Sequence, residues 1–148
     1  MAIFNDKKQM NREYIMGTAE NYLQKYFGYN TFRSPQEEII NNVLQGKDTV
    51  VLMPTGGGKS MCYQLPALMM EGLTLVISPL ISLMKDQVDA LKSNGIEAEY
   101  LNSSLSDIEE RMINQKITSN QLKILYISPE KLLRSSIFGQ LKYYNIKL

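Results

Sequence analysis

Histidine is absent from this 148-residue sequence, and cysteine occurs once, at Cys62. Without imidazole there is no Ser-His-Asp triad, no histidine general base and no histidine-containing metal site. One thiol makes neither an internal disulfide nor a zinc site, so Cys62 reads as a small buried hydrophobe. Charge of one sign is also lacking, since 16 Lys and Arg stand against 15 Asp and Glu. No bulk field therefore draws the chain to nucleic acid or to an anionic membrane, and such binding has to come from local sites. No apolar run approaches the ~20 residues that span a bilayer. The longest lie around Leu65 to Met70 and Leu73 to Ile77, and Met1 to Met10 lacks the apolar stretch of a signal peptide. These absences predict a cytoplasmic protein with no membrane partner. The hydrophobic share of 44% supplies one globular core, which excludes disorder and collagen-like repeats. Chemistry is left to Lys, Arg, carboxylates, hydroxyls and the backbone.

What is present alternates between two periods. Asn11 to Phe27 reads as a helix stopped by Gly28. Ser34-Pro35-Gln36-Glu37 predicts a second, with Ser34 as N-cap, Pro35 at the first helical position, Glu37 completing a capping box and Gly46 as the stop. Short apolar runs follow at Asp48 to Met53, Leu73 to Ser78, Glu97 to Leu101 and Lys123 to Ser128, and Asn145 to Leu148 begins a fifth. Helical segments separate them at Lys59 to Met70, Leu80 to Ser93 and Ser106 to Ile117, the last opening on the capping box Ser106-Asp107-Ile108-Glu109. Strands alternating with helices predict an α/β fold, a parallel sheet covered on both faces. Leu75-Val76-Ile77-Ser78-Pro79 and Leu125-Tyr126-Ile127-Ser128-Pro129 are nearly the same strand ending. Met53-Pro54-Thr55 ends a third run in a similar way, and in a parallel sheet all three corners would lie on the carboxyl edge, where such sheets bind ligands. The plainer reading is that Ser-Pro is good strand-to-helix punctuation.

Met53-Pro54-Thr55-Gly56-Gly57-Gly58-Lys59-Ser60 lies between a β-branched run and a helix, the context of a phosphate-binding loop. Glycines let backbone N–H groups turn toward an anion, and the helix start adds its positive dipole end. Lys59 would reach the terminal phosphates of a nucleotide and Ser60 would offer its hydroxyl to Mg²⁺. The pattern departs from G-x-x-x-x-G-K-[ST] at Met53, which stands where the first glycine belongs. The alternative is a flexible glycine-rich turn with an incidental Lys-Ser.

From about Tyr22 onward the chain resembles the RecQ family of superfamily 2 DNA helicases. Phe27 to Gln36 (F-G-Y-N-T-F-R-S-P-Q) looks like that family's motif 0. Met53 to Pro66 (M-P-T-G-G-G-K-S-M-C-Y-Q-L-P) looks like motif I, the replaced glycine included, and Val76 to Val88 (V-I-S-P-L-I-S-L-M-K-D-Q-V) like motif Ia. Asn102-Ser103-Ser104 and Leu125 to Leu132 sit where later strand-contacting segments lie. The resemblance implies a three-layer RecA-like P-loop NTPase lobe, part of an ATP-dependent 3′-to-5′ DNA helicase of repair and recombination. It implies that Gln36 recognises adenine, that Tyr29 and Arg33 sandwich the base, and that Thr55, Gly56, Gly57, Gly58, Lys59 and Ser60 hold ATP and Mg²⁺, with Lys59 and Ser60 the catalytic pair. It further implies that Ser78, Pro79, Ser82, Lys85, Asn102, Ser103 and Ser104 grip single-stranded or forked DNA, and Lys131, as a nearby cation, is a candidate helper. Lys85 and Lys131 read equally well as solvated helix faces, Tyr29 as a turn aromatic and Gln36 as a solvated first-turn residue.

No Asp-Glu pair, no S-A-T triplet and no second lobe with an arginine finger occurs in the sequence. In the family the acidic box follows a strand like Asn145 to Leu148 almost at once. The expectation is a partial lobe over 1–148, incomplete at its C-terminus. Its parts are helices with motif 0 at 1–46 and βα units at 47–148, with a last strand left unpaired and turnover missing from the piece alone. The early motif 0 points to a compact bacterial form, cytoplasmic and nucleoid-associated. Two other classes stay open: a nucleotide- or phosphate-binding module without catalysis, and an unrelated P-loop kinase or transferase.

Overall fold

The computed structural model describes residues 14–134 and 137–148. They form two compact units that divide between Met70 and Glu71.

In the first unit, helix α1 covers 14–22 and widens into a π-helical last turn, Leu23–Phe27, closed by Gly28 at φ 73°. Positions 11–13 of the expected helix lie outside the described residues. Met16, Ala19 and Leu23 recur at helical spacing. They meet Ile40 of α2 (Gln36–Leu44) and Leu65 of α3 (Met61–Met69) in one buried cluster. Gly46, at φ 71°, follows α2 as expected.

Two local expectations fail here. Ser34 does not cap α2, which starts at Gln36 with no side-chain cap bond. Gln36 closes the preceding turn instead: its N–H donates to the Arg33 carbonyl at 2.6 Å, and its Oε1 accepts from the Arg33 N–H at 2.8 Å. Two bonds from one residue fix that turn, and the serine hydroxyl is not recruited to the helix. The run Asp48 to Met53 forms no strand. It joins no ladder among the described residues, and Val50 and Leu52 are 92% and 94% exposed. β-Branched composition reports fit to a pleated, half-buried surface, so without a partner strand it fixes nothing.

The second unit follows the predicted alternation: β1 Thr74–Ile77, α4 Ile81–Ser93, β2 Ala98–Leu101, α5 Asp107–Thr118 and β3 Ile124–Ile127. The sheet is parallel in the order β1-β3-β2. All four residues of β3 are buried, as a strand covered on both faces requires. Leu125 and Ile127 pack with Leu101 of β2 and with Ile113 and Ile117 of α5. Tyr126 points to the opposite face, where its hydroxyl bonds Gln87 of α4 at 3.3 Å.

The chain end is paired, contrary to expectation. Leu73 bridges Ile146 in parallel, and three backbone bonds (Leu73 N to Asn145 O, Lys147 N to Leu73 O, Leu75 N to Leu148 O, at 2.8–2.9 Å) dock it along β1. The outer edge of β1 offers donors and acceptors that would otherwise need water. Helices α6 (Pro129–Arg134) and α7 (Ile137–Gln140) and a 3₁₀ turn, Leu141–Tyr143, connect β3 to it. Each is too short to print a helical period on the sequence.

Candidate functional site

The glycine-rich loop is a tight turn that opens α3. The Gly57 N–H donates to the Pro54 carbonyl at 3.1 Å, and Gly56 and Gly58 both lie at φ 80°. Met61 and Cys62 then donate to Gly58 and Lys59, starting the helix. Among the described residues, the N–H groups of Gly56, Gly58, Lys59 and Ser60 donate to no backbone carbonyl. They are open backbone donors in the loop just ahead of α3, where an anion would also meet the positive end of the helix. Lys59 is exposed and curls back onto the loop, donating from Nζ to the carbonyls of Met53 (2.8 Å) and Pro54 (3.4 Å). Thr55 stands exposed in the turn and Ser60 is half-buried before α3.

Gln36 is brought to this loop from 22 residues upstream. It is buried, not solvated, and its Nε2 donates to the Gly58 carbonyl at 3.1 Å while Oε1 holds the Arg33 N–H. One amide therefore ties the turn at Arg33 to the glycine-rich loop. Tyr29 and Arg33 both reach solvent, Tyr29 being 52% exposed. Cys62 is buried as expected. Burial pushes its thiol up, more than its weak backbone contact draws it down.

In the second unit, the register aligns Ile77, Ile127 and Leu101, so Ser78, Ser128 and Asn102 follow side by side at the carboxyl edge. Ser78 donates its N–H to Ile127 and Ser128 donates to Leu101, both at 3.1 Å. The two Ser-Pro corners nevertheless differ. Ser128 is buried and its Oγ accepts from the Lys131 N–H at 3.2 Å, with α6 starting at Pro129, which is the punctuation reading. Ser78 caps nothing. Its Oγ accepts from Leu80 N–H at 3.2 Å, and α4 begins only at Ile81, leaving Pro79, Ser82 and Lys85 exposed.

Asn102 is buried, and its Oδ1 accepts from both the N–H (2.9 Å) and the hydroxyl (2.6 Å) of Ser104. It stiffens the loop from within, while Ser103 and Ser104 face solvent. Lys131 is not a solvated lysine: it pairs with Glu110 of α5, and the two side chains are 19% and 23% exposed. A second ionic group, Lys92–Glu99–Lys116 (2.9 and 2.6 Å), links α4, β2 and α5. Sequence reasoning missed the Gln36–Gly58 and Glu110–Lys131 contacts. Their partners are 22 and 21 residues apart, and no local pattern joins them.

Residues 33–147 match the family described as DEAD/DEAH box helicase. The chain is 55% identical over 129 residues to the ATP-dependent DNA helicase RecQ of Haemophilus influenzae, covering 87% of this chain and 21% of that protein. It is 56% identical over 129 residues to the protein of the same name from Pasteurella multocida, covering 87% and 20%. With the mouse ATP-dependent DNA helicase Q1 the identity is 47% over 124 residues, covering 82% and 19%. The chain thus spans about a fifth of the length of these relatives. Among its described residues no helix is long and apolar enough to cross a membrane.

Proposed function

Because the chain belongs to the DEAD/DEAH box helicase family, we propose that it supplies the ATP-binding part of the first RecA-like lobe of an ATP-dependent 3′-to-5′ DNA helicase acting in repair and recombination. The observation that carries this reading is the join between Gln36 and the Gly58 carbonyl. A glycine-rich turn alone would serve any phosphate. Its attachment to an amide that can read a base favours an adenine nucleotide.

The residues fit ATP. Gly58, Lys59 and Ser60 offer N–H donors to phosphate oxygens, and the Lys59 ammonium exchanges two neutral carbonyls for a charged acceptor, a stronger bond. The Ser60 hydroxyl would hold Mg²⁺ against the phosphates, and the hydrolysis of ATP supplies the energy for movement. Gln36 now accepts from one donor and donates to one acceptor. The N6/N7 edge of adenine offers the same pair, so the amide can change partners without losing a bond. Tyr29 and Arg33 are exposed on the same segment, as a ring and a guanidinium plane that clamp a base must be. At the sheet's carboxyl edge, Ser78, Pro79, Ser82, Lys85, Ser103 and Ser104 would follow the backbone of single-stranded or forked DNA. Hydroxyl and N–H donors can position phosphates there without a basic face. The protein would then act in the cytoplasm, at the nucleoid.

The test is ATP hydrolysis by the full protein with and without single-stranded DNA. Stimulation by DNA, lost in Lys59→Ala, is expected. A rate indifferent to DNA would sink the reading.

A further inference from the structure

Loop 102–106 is enclosed by a ring of bonds. Ser128 N–H donates to Leu101 at the end of β2, and Ser128 Oγ receives the Lys131 N–H. The Lys131 ammonium pairs with Glu110, whose N–H donates to the Ser106 carbonyl at 3.1 Å. Inside the ring, Asn102 binds Ser104 and Ser106 closes its capping box with Glu109. Every link but one is a backbone bond or a serine hydroxyl close in space to its own strand. The exception is the Glu110–Lys131 pair, the side-chain ion pair that, among the described residues, joins the first turn of α5 to the start of α6 across 21 residues of chain.

We infer that Glu110 and Lys131 are positioning residues for DNA. Their ion pair closes the ring and holds Ser103 and Ser104 at a fixed place beside the β3 corner, and Lys131 itself contacts no phosphate. The inference rests on the proposed DNA track. It assigns a different job to a lysine at that edge than its charge would indicate, because an ammonium held by a mostly buried carboxylate is neutralised before any phosphate arrives. Ser103 and Ser104 lie exposed between the buried Asn102 and Leu105, which packs against the core, and a short exposed stretch of this kind takes a single conformation from the bonds that close it.

The two roles predict opposite signs for one substitution. If Lys131 bound a phosphate directly, Glu110→Gln would release it and tighten binding, while Lys131→Met would weaken binding and reduce the salt slope by about one ion. As a brace, both variants weaken binding by about threefold or more, and the slope of log affinity against log salt stays that of the wild type. The double exchange Glu110→Lys with Lys131→Glu restores affinity, and hydrolysis of ATP without DNA is unchanged throughout. The experiment titrates the full protein and these variants with fluorescent oligo-dT at several salt concentrations, with a thermal melt of each. Tighter or unchanged binding by Glu110→Gln overturns the brace. A wild type that binds no oligo-dT at any salt overturns the DNA reading itself and the brace with it.

Discussion

Gln36 shows how much a single amide can be asked to do. Its oxygen fixes the turn at Arg33 and its nitrogen holds the Gly58 carbonyl, so one side chain joins that turn to the glycine-rich loop. Gly58 is matched to it. A Cβ there would collide with Gln36 Nε2, whereas at Gly56, which has the same φ of 80°, a Cβ would meet open space. Both substitutions to alanine carry the left-handed backbone cost of about 1–2 kcal/mol, but only Gly58→Ala also pushes Gln36 Nε2 off the Gly58 carbonyl, the loss of one hydrogen bond worth about 0.5–1.5 kcal/mol. Urea unfolding should therefore find Gly58→Ala the more destabilised of the two, with the larger loss of nucleotide affinity. Equal effects would mean that the Gln36–Gly58 bond contributes nothing. The sequence makes glycine legible here as part of a candidate phosphate loop, and its φ of 80° is one reason for it. The second reason, room for Gln36, became visible only in space.

At the scale of the element, two capping boxes that look alike in sequence part company. Ser106 accepts from Glu109 N–H while Glu109 Oε2 takes the Ser106 N–H at 2.8 Å. Bonds from the Ser106 side chain and then its backbone hold the Glu109 carboxyl below its ordinary range. Ser34 has the same local spelling and caps nothing. Ser106→Ala should lower the melting temperature by roughly 2–4 °C, and Ser34→Ala should leave it unmoved, as differential scanning calorimetry will show. The rule is local, and it held where nothing else competed for the turn. It failed where Gln36, bonded to the glycine-rich loop, closed the turn first. The Ser-Pro corners divide in the same way: Ser128 caps α6 while Ser78, with an identical neighbour, does not.

At the scale of the whole molecule, the layers of the second unit are tied by charge as well as packing. Glu99 on β2 lies between Lys92 of α4 and Lys116 of α5. Burial pushes its carboxyl up, but hydrogen bonds from Lys116 and Lys92 and their charges outweigh this and hold it below its ordinary 4.5. A carboxyl depressed in the folded state contributes stability that is complete above 4.5 and is lost as pH falls through its lower, folded value. Glu99→Gln should accordingly melt lower than wild type at neutral pH and converge with it in acid. A constant gap from pH 7 to pH 3 would show that the strap does not titrate. By itself the sequence determined the alternation of strand and helix in the second unit, the glycine-rich turn that opens α3, the helix stops at Gly28 and Gly46, and the family, because each rests on periods and spacings within one segment. Tertiary structure alone decided that Asp48 to Met53 stays irregular, that the chain end docks on β1, that Gln36 is buried against Gly58 and that Lys131 belongs to Glu110. Each of these depends on which partner lies near in space, and for groups some 20 residues apart the chain's local chemistry is silent on that.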